Sequence, residues 1–143
     1  MKSLGVVVVT SGLMTISTIS MGQGSGEYPD MRGQWKGTSE TVVAGSGPHN
    51  RTDSAPGTPR PNNQEFILKI TRQEGPKFWG ELVSKSDVTT KLGVIESDKK
   101  TIYMVDNAGG HNTAKLIDPN TLEACYIRPG TDHMLTGCTI LHR

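Results

Sequence analysis

The chain has 143 residues, 15 Lys+Arg against 14 Asp+Glu, 17 Gly, 8 Pro and only 5% aromatic residues. That length holds one domain. A net charge of +1 leaves no electrostatic footprint for nucleic acid or an anionic membrane surface, and abundant Gly and Pro argue against a helix bundle or coiled coil and for short strands joined by tight turns.

The chain opens with Met1-Lys2-Ser3, an uncharged run from Leu4 to Met14, and small polar residues from Thr15 to Gly24. This is the layout of a secretory signal peptide. The apolar run of 11 residues is well short of the about 20 that a membrane-spanning helix needs. Residues 1–22 are therefore assigned to the signal, with cleavage expected after Ser20 or Gly22. No Cys follows the run to carry a lipid anchor. The expected location is the periplasm or the medium, with no membrane span. Because Lys2 is the one charge in the first 24 residues, the remaining chain is neutral.

Residues 23–32 read as a polar, flexible N-terminal arm before a domain at 33–143. Gly33 to Ala44 alternates and is rich in Thr and Val, the pattern of a strand. Residues 45–63 carry Pro48, Pro56, Pro59 and Pro61 and almost no apolar side chains, so they are expected to form a long mobile loop. Seven more strands follow at short intervals: Glu65 to Gln73, Lys77 to Lys85, Thr89 to Glu96, Thr101 to Asp106, His111 to Ile117, Leu122 to Arg128 and Met134 to Leu141. Turn residues separate them, among them Glu74-Gly75-Pro76, Ser86-Asp87, Asn107 to Gly110 and Asp118-Pro119-Asn120. No segment of helical period rivals these strands.

The last two strands flank Pro129-Gly130-Thr131-Asp132, a hairpin signal. If Gly130 to His133 form the loop, Ile127 faces Thr136 and Cys125 faces Cys138. Opposed positions in an antiparallel pair are close enough to bridge, and export places the chain in an oxidising compartment. A structural disulfide Cys125–Cys138 is expected; the spacing suits neither a C-x-x-C redox pair nor a zinc site. The fold class is thus all-β. An eight-stranded antiparallel up-and-down barrel, which hides every strand edge, is the simplest architecture. A two-sheet sandwich is the alternative, because several strands carry apolar residues on both faces.

Gly33-Gln34-Trp35 opens the first strand. A Gly-x-Trp at that position of an exported eight-stranded barrel resembles the calycin group: lipocalins, avidins and the small bacterial inhibitors of secreted metalloproteases. The resemblance implies that Trp35 plugs the closed end of the barrel, and, from the lipocalins, that Arg143 packs on it. The later lipocalin loop motif and the avidin biotin-site tryptophans are missing. Trp35 to Glu40, Phe78-Trp79-Gly80, Lys100 to Asp106 and Cys125-Tyr126 also look like a family of small exported bacterial proteins, a likeness that covers most of the mature chain and brings no activity with it.

In an up-and-down barrel alternate loops share one end. The long loop, the Ser86-Asp87 turn, the Asn107 to Gly110 turn and the Gly130 to His133 loop would meet there, bringing His49, His111 and His133 together with Asp106 and Asn112. Imidazoles and carboxylates at one mouth suit a metal or a polar ligand. The candidate ligand-binding residues are Trp35, Phe78, Trp79, Tyr103, Tyr126, His111, His133 and Asp106. Expected lumen positions are Trp35, Phe66, Leu68, Phe78, Leu82, Met104 and Tyr126. No catalytic signature, metal-ligand spacing or cofactor motif is present, so no metal and no cofactor are expected. The leading expectation is a non-enzymatic binding protein holding a small, partly apolar ligand at the open end. A module that inhibits a secreted protease through the arm is one alternative, and a structural surface protein without a site is another.

Overall fold

The computed structural model describes residues 27–51 and 57–143. The signal peptide assigned to 1–22 and the start of the arm lie outside the described residues. Nine strands follow in order: β1 (Gly33–Gly45), β2 (Pro59–Pro61), β3 (Gln64–Glu74), β4 (Lys77–Val83), β5 (Val88–Ile95), β6 (Thr101–Asp106), β7 (His111–Asp118), β8 (Thr121–Arg128) and β9 (His133–His142). Sequential neighbours from β3 to β9 pair antiparallel, and β1 pairs with both β3 and β9. The eight long strands therefore close into a barrel, and no sandwich forms.

Closure depends on the length of β1. Its 13 residues serve two partners: Gly33 to Ser39 lie along β3, and the stretch to Gly45 lies along β9, from Ser39↔Thr139 to Gly45↔His133. Gly37 sits where the two partners meet. A Cβ there would fall 2.1 Å from the carbonyl oxygen of Ile140, so only glycine permits this backbone approach. β2 is the one strand absent from the expected set. Pro59-Arg60-Pro61 pairs with Val42 to Ala44, and Asn62 N–H donates to the Thr41 carbonyl at 2.8 Å. Its two prolines cannot donate to a ladder, which confines β2 to a short edge pairing. The described parts of 45–63, expected to be unstructured, are thus tied to the barrel on both sides of the undescribed residues 52–56.

The β8–β9 hairpin has the expected register, with Ile127↔Thr136 and Cys125↔Cys138. The Cys125–Cys138 disulfide is formed, with Cα atoms 4.0 Å apart. Its neighbours Ala124 and Tyr126 face inward, so the bridge lies on the outer wall of the barrel.

One end of the interior is filled by apolar side chains. Trp35 is 0% exposed and packs among Met31, Leu68, Phe78, Ile102 and Leu122. Its indole Nε1–H donates to the Met31 carbonyl at 2.9 Å. The Arg143 guanidinium lies 4.4 Å from the Trp35 ring centroid and donates to the Asp30 carbonyl at 2.8 Å, the arrangement implied by the lipocalin resemblance. Residues 27–32, expected as a flexible arm, instead cover this closed end. Met31 is fully buried, its N–H donates to Gln73 Oε1 at 2.7 Å, and Gln73 Nε2–H donates to the Pro29 carbonyl. Burying the Met31 side chain contributes about 1.5–3 kcal/mol, enough to hold a short segment in place.

Candidate functional site

At the other end the interior is not filled. A cavity of about 70 Å³ remains beneath the mouth. Its wall is largely apolar, built by Phe66 and Leu68 of β3, Leu82 of β4, Met104 of β6, and Leu135 and Leu141 of β9. Polar groups converge on it from Ser39 and Thr41 (β1), Lys91 (β5), Asp106 (β6), Asn112 (β7), Tyr126 and Arg128 (β8) and His133 (β9). Concave, mostly apolar space with a few converging polar groups is the ordinary form of a small-molecule site.

Pro48, His49 and Asn50 complete the wall from above. This segment leaves β1 and spans the mouth. At one side Gly47 lies so close to the His133 ring that a Cβ would fall 2.1 Å from Cε1. At the other, His49 Nδ1 sits 2.7 Å from Ser84 Oγ and Nε2 3.0 Å from Thr89 Oγ1, on and beside β5. The His49 ring also meets Phe66 edge-on, at 5.5 Å and 80°. The far side of the long loop pins the cap: Arg60 donates to the carbonyls of Gly45 and Asn50, and Gln64 Nε2–H donates to the His49 carbonyl at 2.6 Å.

Inside the barrel, Lys91 and Asp106 form a buried ion pair. Their side chains are 2% and 3% exposed, and Nζ lies 2.8 Å from Oδ2. Lys91 Nζ also donates to Asn112 Oδ1 at 2.8 Å and stands 4.5 Å from the Tyr126 ring centroid. The second Asp106 oxygen accepts the N–H groups of Ala108 and Gly110, each at 3.0 Å. Burial pulls the Lys91 ammonium below its usual range, opposed by Asp106. Burial pushes Asp106 upward, but the hydrogen bond and charge of Lys91, with the Gly110 N–H and the Tyr126 hydroxyl, outweigh it and hold the carboxyl below its ordinary value. Burial and the Asp106 charge raise the Tyr126 phenol. At neutral pH the pair is ionised, Tyr126 is a neutral donor, and the cluster adds no net charge.

Both mouth histidines are neutral at pH 7. Burial lowers His49. Burial, then the charges of Arg128 and Arg60, lower His133. The Arg128 guanidinium lies 2.6 Å from His133 Nδ1. Arginine only donates, so Nδ1 accepts and the ring proton resides on Nε2. That Nε2–H is buried and has no hydrogen-bond partner among the described residues.

The eight residues singled out from the sequence divide three ways. Tyr126, His133 and Asp106 line the cavity. Trp35 and Phe78 belong to the packed closed end. Trp79, Tyr103 and His111 face outward: Trp79 lies under the Arg72 guanidinium at 4.9 Å, Tyr103 is 45% exposed opposite Val94, and His111 is exposed. The reason is the period of two along a strand. Phe78 inside forces Trp79 outside, Met104 forces Tyr103, and Asn112 forces His111.

Sequence reading missed Lys91 and Arg128. In β5 the apolar Leu92 and Val94 are outside, Leu92 at 54% exposure, while Thr89 and Lys91 are inside. One signal was available. Ile102, Met104 and Asp106 share a parity, so an inward Asp106 needed a cation from a neighbouring strand, and Lys91 is its ladder partner. Among the described residues no group of three His, Cys, Asp or Glu side chains is arranged to hold a metal, and no helix is long and apolar enough to cross a membrane.

The class defined by these features is a closed eight-stranded antiparallel barrel with a capped pocket at one end. No protein-family model matches the chain and no curated protein matches it. Among solved structures, an S-type phycobiliprotein lyase from Guillardia theta is similar, at 11% identity and a TM-score of 0.37, over 79% of this chain and 88% of that one. At that distance the likeness carries nothing over to this chain.

Proposed function

We propose that this protein is an exported, non-enzymatic binding protein that holds a small, partly apolar molecule in the capped mouth of the barrel. The observation that carries the reading is the cavity: the interior at the closed end is filled by the apolar cluster around Trp35, with only a polar hollow outside it between residues 27–32 and the β3–β4 turn, whereas the capped end keeps about 70 Å³ between apolar walls. An apolar cavity of roughly 150 Å³ holds one benzene ring, so the closed cap accommodates a ligand of about three non-hydrogen atoms. Two of the titratable groups in the wall are held by neighbours on both sides: Lys91 by Asp106 and Asn112, and His49 by two hydroxyls. That suits holding a molecule rather than transforming it. The formed disulfide supports export. The alternative of a protease-inhibiting arm draws no support from residues 27–32, which are part of the closed end.

The test compares native and denaturing mass spectra of the protein purified from its own host. Extra mass confined to the native spectrum, lost in an Ala124→Phe variant that fills the cavity, is the expected result. A bare mature mass, together with no thermal shift from any compound of fewer than about ten heavy atoms, would overturn the reading.

A further inference from the structure

Given the pocket reading above, on which this step rests, the chemistry of the ligand follows from a donor that the wall leaves unused. His133 is 8% exposed and helps to build the cavity wall. The Arg128 guanidinium, 2.6 Å from Nδ1, fixes the ring proton on Nε2. This Nε2–H is buried without a hydrogen-bond partner among the described residues. A Cβ at Gly47 would fall 2.1 Å from Cε1 and 2.3 Å from Nδ1, so Gly47 covers that side of the ring and the Nε2 edge is left to the cavity. Buried donors are nearly always satisfied, so one that is not signals an acceptor still to come.

An acceptor at Nε2 stands across the imidazole from Arg128, out of hydrogen-bond reach of the guanidinium. The Lys91 charge is already met by Asp106 at 2.8 Å. An anion at Nε2 would therefore be buried with no counter-ion beside it, against Phe66, Leu82 and Leu135, which burial penalises heavily. A cation cannot accept from an N–H. A neutral oxygen loses far less on leaving water and takes the bond. By donating to Nδ1, Arg128 also polarises the ring and strengthens the Nε2–H donor. The cavity of about 70 Å³ leaves room for roughly three non-hydrogen atoms, which is one oxygen and two carbons.

We propose that the capped cavity takes neutral two-carbon oxygen compounds (ethers, aldehydes or alcohols), with the oxygen accepting from His133 Nε2–H and the hydrocarbon against Phe66, Leu82 and Leu135. Arg128 is a positioning residue: it touches His133 rather than the ligand and holds the tautomer that donates.

NMR titration of the mature protein, labelled with nitrogen-15 in its histidines, tests this with dimethyl ether, propane, formate and ethylammonium, all of the same heavy-atom count. The spectra report each dissociation constant and the His133 Nε2–H resonance. Dimethyl ether should move that proton downfield, and propane should bind without doing so. Formate and ethylammonium should bind at least about tenfold more weakly than the ether, because each would bury an unpaired charge. Arg128→Met frees the ring to carry its proton on Nδ1, so affinity for the ether should fall about two- to tenfold, the worth of one hydrogen bond, while that for propane holds; Arg128→Lys should keep part of the ether's affinity. Ether binding that leaves Nε2–H unmoved, or either ion binding as tightly as the ether, would overturn the proposal and leave the pocket reading standing. Equal losses of ether and propane in folded Arg128→Met would overturn the positioning role. Binding of none of the four would overturn the proposal and count against the pocket reading as well. The wild-type spectra decide the ligand class even if an Arg128 variant fails to fold.

Discussion

Replacing Lys91 by Met removes the only cation paired with Asp106 among the described residues. The methionine fills most of the volume of the lysine stem, so the cost is chiefly electrostatic. Breaking a buried pair by removing one partner typically costs about 3–5 kcal/mol, because an uncompensated charge remains. Here Asp106 keeps two backbone N–H donors and the Tyr126 hydroxyl, so we expect the lower end, about 3 kcal/mol. That is a large fraction of the 5–15 kcal/mol of an ordinary domain. Urea unfolding at pH 7 measures it. The pH dependence gives a second check. In the wild type Lys91 holds the folded carboxyl of Asp106 below its unfolded value, so its contribution is present above about pH 3.9 and is lost as pH falls through the folded value. In Lys91→Met burial, the largest influence on Asp106, is opposed only by the Gly110 N–H and the Tyr126 hydroxyl, so the folded value rises, the carboxyl destabilises at pH 7 and this penalty is relieved as pH falls towards 4. The gap between variant and wild type should therefore narrow with acid, and a Lys91→Met/Asp106→Asn double variant should recover most of the loss at pH 7. A cost below about 1 kcal/mol at pH 7, or a gap that does not depend on pH, would refute the account.

Three further outcomes are expected. Gly47→Ala forces the cap against the His133 ring, so the Asn50 amide, now bonded to the Gly47 carbonyl at 3.1 Å, should exchange its hydrogen faster while the barrel strands stay protected; unchanged exchange would show that the ring yields instead. His49 and His133 have folded values below the ordinary 6.5 or so, so the unfolded chain takes up protons first and the urea midpoint should fall as pH drops below about 6.5, levelling once the folded rings protonate. A midpoint flat between pH 7 and 5, or a slope unaltered in His49→Asn, would contradict the burial of these rings. Replacing both Cys125 and Cys138 by Ser should cost about 3 kcal/mol through loop entropy yet leave ligand affinity unchanged, because the bridge lies on the outer wall; lost binding in folded protein would place the disulfide's influence inside the cavity.

Much of the fold was readable along the chain. Gly-Pro and Asp-Pro-Asn signals mark turns through local backbone preference, and the runs between them are too short for helices. The cysteine pairing followed from counting back from the Pro129-Gly130 turn, because a hairpin's register is set at its loop. Arg143 on Trp35 was anticipated from resemblance alone. β2 was not readable, since Pro59-Arg60-Pro61 has no strand pattern and pairs only because β1 runs on beyond β3 and presents Val42 to Ala44.

The site divides along the same line. His133 and Asp106 were placed at the mouth by loop counting, and Tyr126 was expected in the lumen. Trp79, Tyr103 and His111 were counted with them because parity along a strand is invisible when both faces carry apolar residues. Leu92 and Val94 lie on one parity of β5 and Thr89 and Lys91 on the other, and hydrophobicity chooses the wrong one. The choice is made across the barrel, where Asp106 and Asn112 offer the Lys91 ammonium the partners without which burial would be prohibitive. Strands, turns and the disulfide rest on interactions between residues near in the chain, so composition and spacing reveal them. Which face turns inward, where the cap lands and which charges remain unpaired depend on contacts between strands far apart in sequence, and only closure of the barrel brings those together.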